Sequence, residues 1–102
     1  MTTADTLRAA RALIEQPERW TQNAYARDDS RQPCSPTDLI ATCWCATGAI
    51  SRVSRWSITN ENKAWDTLNF ITGVSVARFN DSRTHAEVLA AFDRAIEIAE
   101  KQ

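Results

Sequence analysis

The sequence predicts an all-α protein: one compact bundle of about four helices, with two irregular segments between them. Two observations predict it. Apolar residues recur at three- and four-residue steps in four separate stretches. Helix start and stop residues bracket most of those stretches. The only alternating run, Val74–Phe79, has no evident strand to pair with.

The first helix is expected over Thr3–Gln16. Leu7, Ala10, Leu13 and Ile14 form its inner stripe, with Arg8, Arg11 and Glu15 outside. Pro17 ends it, because the residue before a proline is pushed out of helical backbone. Trp20 and Tyr25 are the only large apolar groups in the next stretch, and both are expected to be pinned to the core. Asp28–Pro33 has turn composition and reads as an exposed loop.

The central helix is expected from Pro36 to about Arg55. Ser35-Pro36-Thr37-Asp38 reads as its start: a capping side chain, a proline tolerated in the first turn, then an acid near the positive end of the dipole. Leu39, Cys43, Ala46, Ile50 and Val53 follow at helical steps, and Ile40, Trp44 and Thr47 widen the stripe. Such a helix would span about 30 Å. Its misfit is Gly48, since a mid-helix glycine costs about 0.5–1 kcal/mol against alanine. Close approach by a neighbouring helix or ring explains it, and so does room for a ligand.

The pattern breaks at Trp56-Ser57-Ile58. Thr59-Asn60-Glu61 then starts another helix, with Ala64, Trp65, Leu68 and Ile71 inward and Gly73 as a left-handed stop. Val74–Phe79 allows a short extended segment, and Asn80–Arg83 reads as a turn. Thr84-His85-Ala86-Glu87 fits a capping box, and Val88, Phe92, Ala95, Ile96 and Ala99 carry the last stripe. The irregular segments are thus about 20–35 and 74–83. Connections of that length in a bundle are often functional.

The 102 residues suit a single helical domain over 1–102. With 12 basic and 13 acidic residues, the formal charge is −1. That balance carries no strong nucleic-acid signal and none for an anionic membrane. No apolar run reaches the roughly 18 residues of a membrane span. The N-terminal residues lack the basic and apolar segments of a signal peptide, so a cytoplasmic setting is expected. Three cysteines are then expected to be reduced thiols. Of the basic residues only Lys63 and Lys101 are lysine; forked hydrogen bonding by arginine and GC-rich codon usage both account for that.

Three ordered groups of residues carry a resemblance. They are Trp20…Ala24-Tyr25-Ala26-Arg27-Asp28, then Trp44-Cys45…Gly48-Ala49-Ile50, then Phe79-Asn80-Asp81…Thr84…Glu87-Val88-Leu89. From about Leu7 to Ile96 the chain resembles a family of small bacterial and phage proteins known only as a domain of unknown function. That family usually has a glycine in the loop after the Arg-Asp pair, where Ser30 and Arg31 stand here. It often has an arginine at Cys43 and a tryptophan at Phe79. The resemblance implies a shared fold and a shared residue cluster, and brings no activity with it.

The candidate residues each have two readings. Cys45 could be a nucleophile, with His85 as base and Asn80 or Asp81 as orienter. The other reading is a buried thiol acting as a small hydrophobe, the usual state of a free cysteine, and a mid-helix position favours it. Cys34, Cys43, Cys45 and His85 match no zinc pattern, and Cys43 and Cys45 would point about 200° apart on one helix. Arg27, Asp28, Asn80 and Asp81 lie in the irregular segments. An Arg27–Asp81 ion pair would tie those segments together; alternatively Asn80 and Asp81 form an Asx-type turn and Arg27 caps carbonyls. The four tryptophans could form an aromatic cage or belong to the core. Trp56, after Arg52 and Arg55, reads as an exposed anchor for a partner. Only two glycines are present, so no phosphate-binding glycine loop is available.

Two functional readings follow. The first is a non-enzymatic interaction protein with a protein partner and no metal or cofactor. The resemblance extends it to a phage-type inhibitor or modulator of a bacterial defence system. The alternative is a small-ligand or cysteine-dependent site formed by Arg27, Cys45, Asn80 and Asp81.

Overall fold

The chain's first helix begins with a reciprocal cap. Thr2 Oγ1 accepts the Asp5 N–H at 3.0 Å, and Asp5 accepts the Thr2 N–H at 3.1 Å. In the computed structural model, which describes residues 2–101 apart from 56, this helix is α1, Thr3–Leu13. It stops before Pro17 has to end it, and a short 3-10 turn, Pro17–Arg19, follows. Then come two short strands, β1 (Ala26–Arg27) and β2 (Cys43–Trp44), and four more helices. These are α2 (Ala46–Val53), α3 (Ile58–Thr72), α4 (Val76–Ser82) and α5 (His85–Glu100). Among the described residues the fold is mostly helical, with five helices where about four were expected.

The core is the meeting of α1, α2, α3 and α5. α1 packs on α5 and α2, and α3 crosses α5 and α1. Leu7, Ile14, Ile50, Leu68, Val88 and Phe92 are fully buried there. Each buried Leu, Ile or Phe side chain contributes about 1.5–3 kcal/mol relative to exposure. Small residues, Ala10, Ala49, Ala64 and Ala95, let the helices approach closely. Gly73 ends α3 at φ 73°, as the sequence indicated. α5 opens with the expected capping box, in which Thr84 Oγ1 accepts the Glu87 N–H. Among the described residues no helix is long and apolar enough to cross a membrane.

The largest departure is the central helix. It starts at Ala46, ten residues later than expected, and 36–42 is a chain of turns. Local side-chain bonds compete with a helix there. Ser35 Oγ accepts the Thr37 N–H, and Asp38 Oδ1 accepts the Ile40 N–H. Cys43 and Trp44 are claimed by a distant partner: β2 pairs antiparallel with β1, setting Ala26 opposite Trp44 and Arg27 opposite Cys43. Thr21 N–H and Cys45 N–H continue that lattice to Trp44 O and Tyr25 O.

The second departure is at 76–82. The alternation there belongs to a helix whose buried residues, Val76 and Asn80, are four apart. Ser75 Oγ caps it through the Arg78 N–H, and Asn69 Oδ1 of α3 takes the Val76 N–H. The turn expected over Asn80–Arg83 is therefore mostly the last part of α4.

Candidate functional site

Asn80 is the organising side chain. It is fully buried, and its carboxamide uses its whole bonding capacity. Oδ1 accepts Trp20 Nε1–H at 2.7 Å and the Ala46 N–H at 2.9 Å. Nδ2 donates to Thr21 O at 3.0 Å and to Asp81 Oδ1 at 3.2 Å. The opposite amide orientation would set NH2 against two donors, so the network itself assigns the atoms. Asp81 Oδ1 also accepts the Asn23 N–H at 2.8 Å, and Gln22 Nε2 donates to Asn80 O. This cluster joins 20–23 to α4 and to the start of α2. It is not the Asx-type turn that the sequence suggested.

Cys45 stands at the N-terminus of α2 and not in mid-helix. Its sulfur accepts the Gly48 N–H at 3.3 Å, a cap of the kind usually made by an oxygen. Burial raises the thiol's pKa, against the pull of the Gly48 and Thr47 N–H groups. Gly48 is explained by close approach, though of backbone and not of a helix or ring. A Cβ on it would stand 1.9 Å from Tyr25 O. Cys43 sits in extended backbone, with Arg31 Nη1 at 3.6 Å from its sulfur. Among the described residues no three of His, Cys, Asp and Glu converge as metal ligands would.

His85 is engaged elsewhere. Its Nε2 lies 2.7 Å from Ile14 O, and its ring packs against Trp20 with centroids 5.3 Å apart. Cys45 and His85, weighed as a possible dyad, share no hydrogen bond: the sulfur takes the Gly48 N–H and the imidazole meets Ile14 O. The Arg27–Asp81 ion pair does not form either. Arg27 bonds Thr21 Oγ1, Gln22 O and Arg31 O, the carbonyl-capping alternative. Asp28 Oδ1 accepts the N–H groups of Ser30 and Gln32 and closes the loop between them. Arg31 takes φ 67° in that loop, where the resembling family usually has glycine.

Arg52 is also structural in part. Its guanidinium lies over the Trp44 ring, 5.4 Å from the centroid, and Nη1 donates to Pro36 O and Asp38 O. Trp44 Nε1 donates to the same Pro36 O at 2.9 Å. Together they hold the 36–41 loop from beneath. At its tip Leu39 is 88% exposed and Ile40 54%, although both were expected on a buried stripe. Arg55 is exposed, and Trp56 lies outside the described residues. The three described tryptophans serve different neighbourhoods: Trp20 beside Asn80 and His85, Trp44 under Arg52, Trp65 on α3.

Tyr25 is 58% exposed, not pinned to the core. It separates two hollows. One, of about 190 Å3, reaches Cys45 and Asp81. The other, of about 270 Å3, lies against Thr47, Trp65 and Val76. Of the four residues in the alternative ligand site, only Cys45 and Asp81 share a hollow. Sequence reasoning missed Leu39, Ile40 and Tyr25 as surface groups. The signal for the first two was the Pro33–Pro36 pair with Ser35 and Asp38, which favours turns over a helix.

Searches of the curated proteins and of the solved structures returned no match for this chain. A family model covers residues 1–98: the chain belongs to the Family of unknown function (DUF6197).

Proposed function

We propose that the chain is a non-enzymatic interaction protein that docks a protein partner on the Leu39–Ile40 tip. One observation carries this reading: the tip is apolar and exposed, while the backbone beneath it is tied down by Trp44 and Arg52. A loop already ordered loses little entropy when a partner covers it. Burying Leu39 alone would contribute about 1.5–3 kcal/mol to binding. A single exposed leucine is ordinary, but an adjacent pair of exposed apolar residues on an anchored loop forms the start of a hot spot. A phage-type inhibitor or modulator of a bacterial defence system, acting in the cytoplasm, is the concrete form that the resemblance supports.

The test is site-specific photocrosslinking in host lysate, from a benzophenone side chain placed at Ile40 or, as a control, at Arg94. Position 40 should give discrete adducts that position 94 does not. Excess unlabelled protein should compete them away, and excess Leu39→Asp protein should not. Identical adducts from both positions, or full competition by the Leu39→Asp protein, would overturn the reading.

A further inference from the structure

We propose that the cleft between α2, α3 and α4, beside Tyr25, binds a small neutral molecule with an apolar frame and a carbonyl-type acceptor. The site is separate from the Leu39–Ile40 tip and does not depend on it.

Two residues that line the cleft each carry a polar atom that the fold leaves without a hydrogen-bond partner among the described residues. The atoms are Trp65 Nε1 and Thr47 Oγ1, both shut off from solvent. Two neighbouring side-chain oxygens already serve as helix caps. Asn69 Oδ1 takes the Val76 N–H, and Ser75 Oγ takes the Arg78 N–H. The Thr47 hydroxyl stands close enough to the Cys45 sulfur to favour its thiolate, yet it meets no acceptor in hydrogen-bond geometry. The indole N–H is the sharper case, since Trp20 and Trp44 both place theirs on an acceptor. A buried donor without an acceptor is destabilising, and a ligand acceptor would return that cost on binding.

The chemistry of the walls selects the ligand. No charged side chain lines the cleft, so an ion would lose hydration without gaining a counter-charge. Tyr25, Val76 and Ala77 supply apolar surface. A volume of about 270 Å3 is near the small end of ligand sites, with room for one ring bearing one carbonyl. Because both orphan atoms are sealed, admission requires movement at the rim. Tyr25 is the most exposed large group there, and its backbone is held by the Cys45 N–H, so its side chain can turn while the main chain stays.

The experiment is a titration of nitrogen-15-labelled protein with δ-valerolactam and cyclohexanone. Cyclohexylammonium and cyclohexanecarboxylate serve as charged counterparts. The Trp65 indole resonance is identified by its loss in Trp65→Phe. The neutral carbonyl probes should shift it saturably, while the Trp20 and Trp44 indole resonances, already bonded internally, stay in place. Trp65→Phe and Thr47→Val should each weaken binding about five- to tenfold, as loss of one hydrogen bond implies. Their remaining spectra should match wild type, which separates loss of binding from loss of fold. A Trp65 resonance unmoved up to probe solubility, equal responses to neutral and charged probes, or undiminished binding in both folded variants would each overturn the proposal.

Discussion

The side-chain oxygen of Asn80, in α4, accepts the backbone N–H of Ala46, the first residue of α2, at 2.9 Å. The first amides of a helix have no partner within it, and here a residue 34 positions away supplies one. With Cys45 Sγ on the Gly48 N–H, the N-terminus of α2 is capped twice, once locally and once across the fold. Asn80→Ala should therefore strand the Ala46 amide, the Trp20 indole and Thr21 O together. A loss of about 3–5 kcal/mol is expected in urea unfolding. Asn80→Asp keeps the shape but turns Nδ2, a donor, into an oxygen facing Thr21 O and Asp81 Oδ1. It too should destabilise; a wild-type midpoint for Asn80→Asp would refute the network.

The two glycines should respond differently to alanine. Gly48→Ala drives a Cβ to within 1.9 Å of the Tyr25 carbonyl, which is backbone and cannot swing aside. Overpacking of that kind is expected to cost about 3 kcal/mol or more. Gly73 has open space around its Cβ position, and only its φ of 73° matters. Gly73→Ala should cost about 1–2 kcal/mol, the ordinary penalty for left-handed backbone. Unfolding curves of the two variants give the comparison directly.

Acid should weaken both capping boxes. The Thr84 N–H donates to Glu87 and holds its carboxyl below the ordinary 4.5, and Thr2 does the same for Asp5 below 3.8. A carboxyl whose pKa is depressed on folding adds stability that is fully present above its unfolded value. That stability is lost as pH falls through the folded value. The melting temperature of Glu87→Gln should therefore lie below wild type at neutral pH. The two should converge as pH drops beneath 4.5. A constant offset between them down to pH 2 would show that the carboxylate is not the source.

The thiols should alkylate in order of burial. Cys34 is half-buried, while Cys43 and Cys45 are enclosed, and burial raises the pKa of both Cys34 and Cys45. Iodoacetamide on the native protein should label Cys34 first, and should label Cys45 only as fast as the fold opens. Peptide mass spectrometry over time reads the order. Rapid labelling of Cys45 would restore a cysteine-dependent site beside Asp81.

Arg52 should control the loop without controlling the fold. Arg52→Ala removes its bonds to Pro36 O and Asp38 O and its contact with Trp44. The amide of Ala41, bonded to Asp38 O, should exchange faster with solvent, while amides in α1 and α5 stay protected. Unchanged exchange at Ala41 would mean that Trp44 alone anchors the loop.

The Thr84–Glu87 capping box, the inner stripes of α1, α3 and α5, and the stop at Gly73 could be read from residue order, and the structure has them all. Each is a local matter: a cap spans four residues and a helical stripe repeats every three or four, so neighbours along the chain suffice. The 36–45 stretch had an equally good helical stripe and became turns and a strand. Its hydrogen bonds are taken by Ala26–Arg27, which are distant in sequence, and by its own Ser35 and Asp38 side chains. Asn80 looked like a turn residue because nothing near it in sequence reveals Trp20, Thr21 or Ala46. Tyr25 and Leu39 were assigned to the core on hydrophobicity, yet stand outside it. The spacing of apolar residues made the chain mostly helical, while contacts between segments tens of residues apart decided which apolar groups stayed at the surface, because burial depends on what covers a side chain and not on the side chain alone.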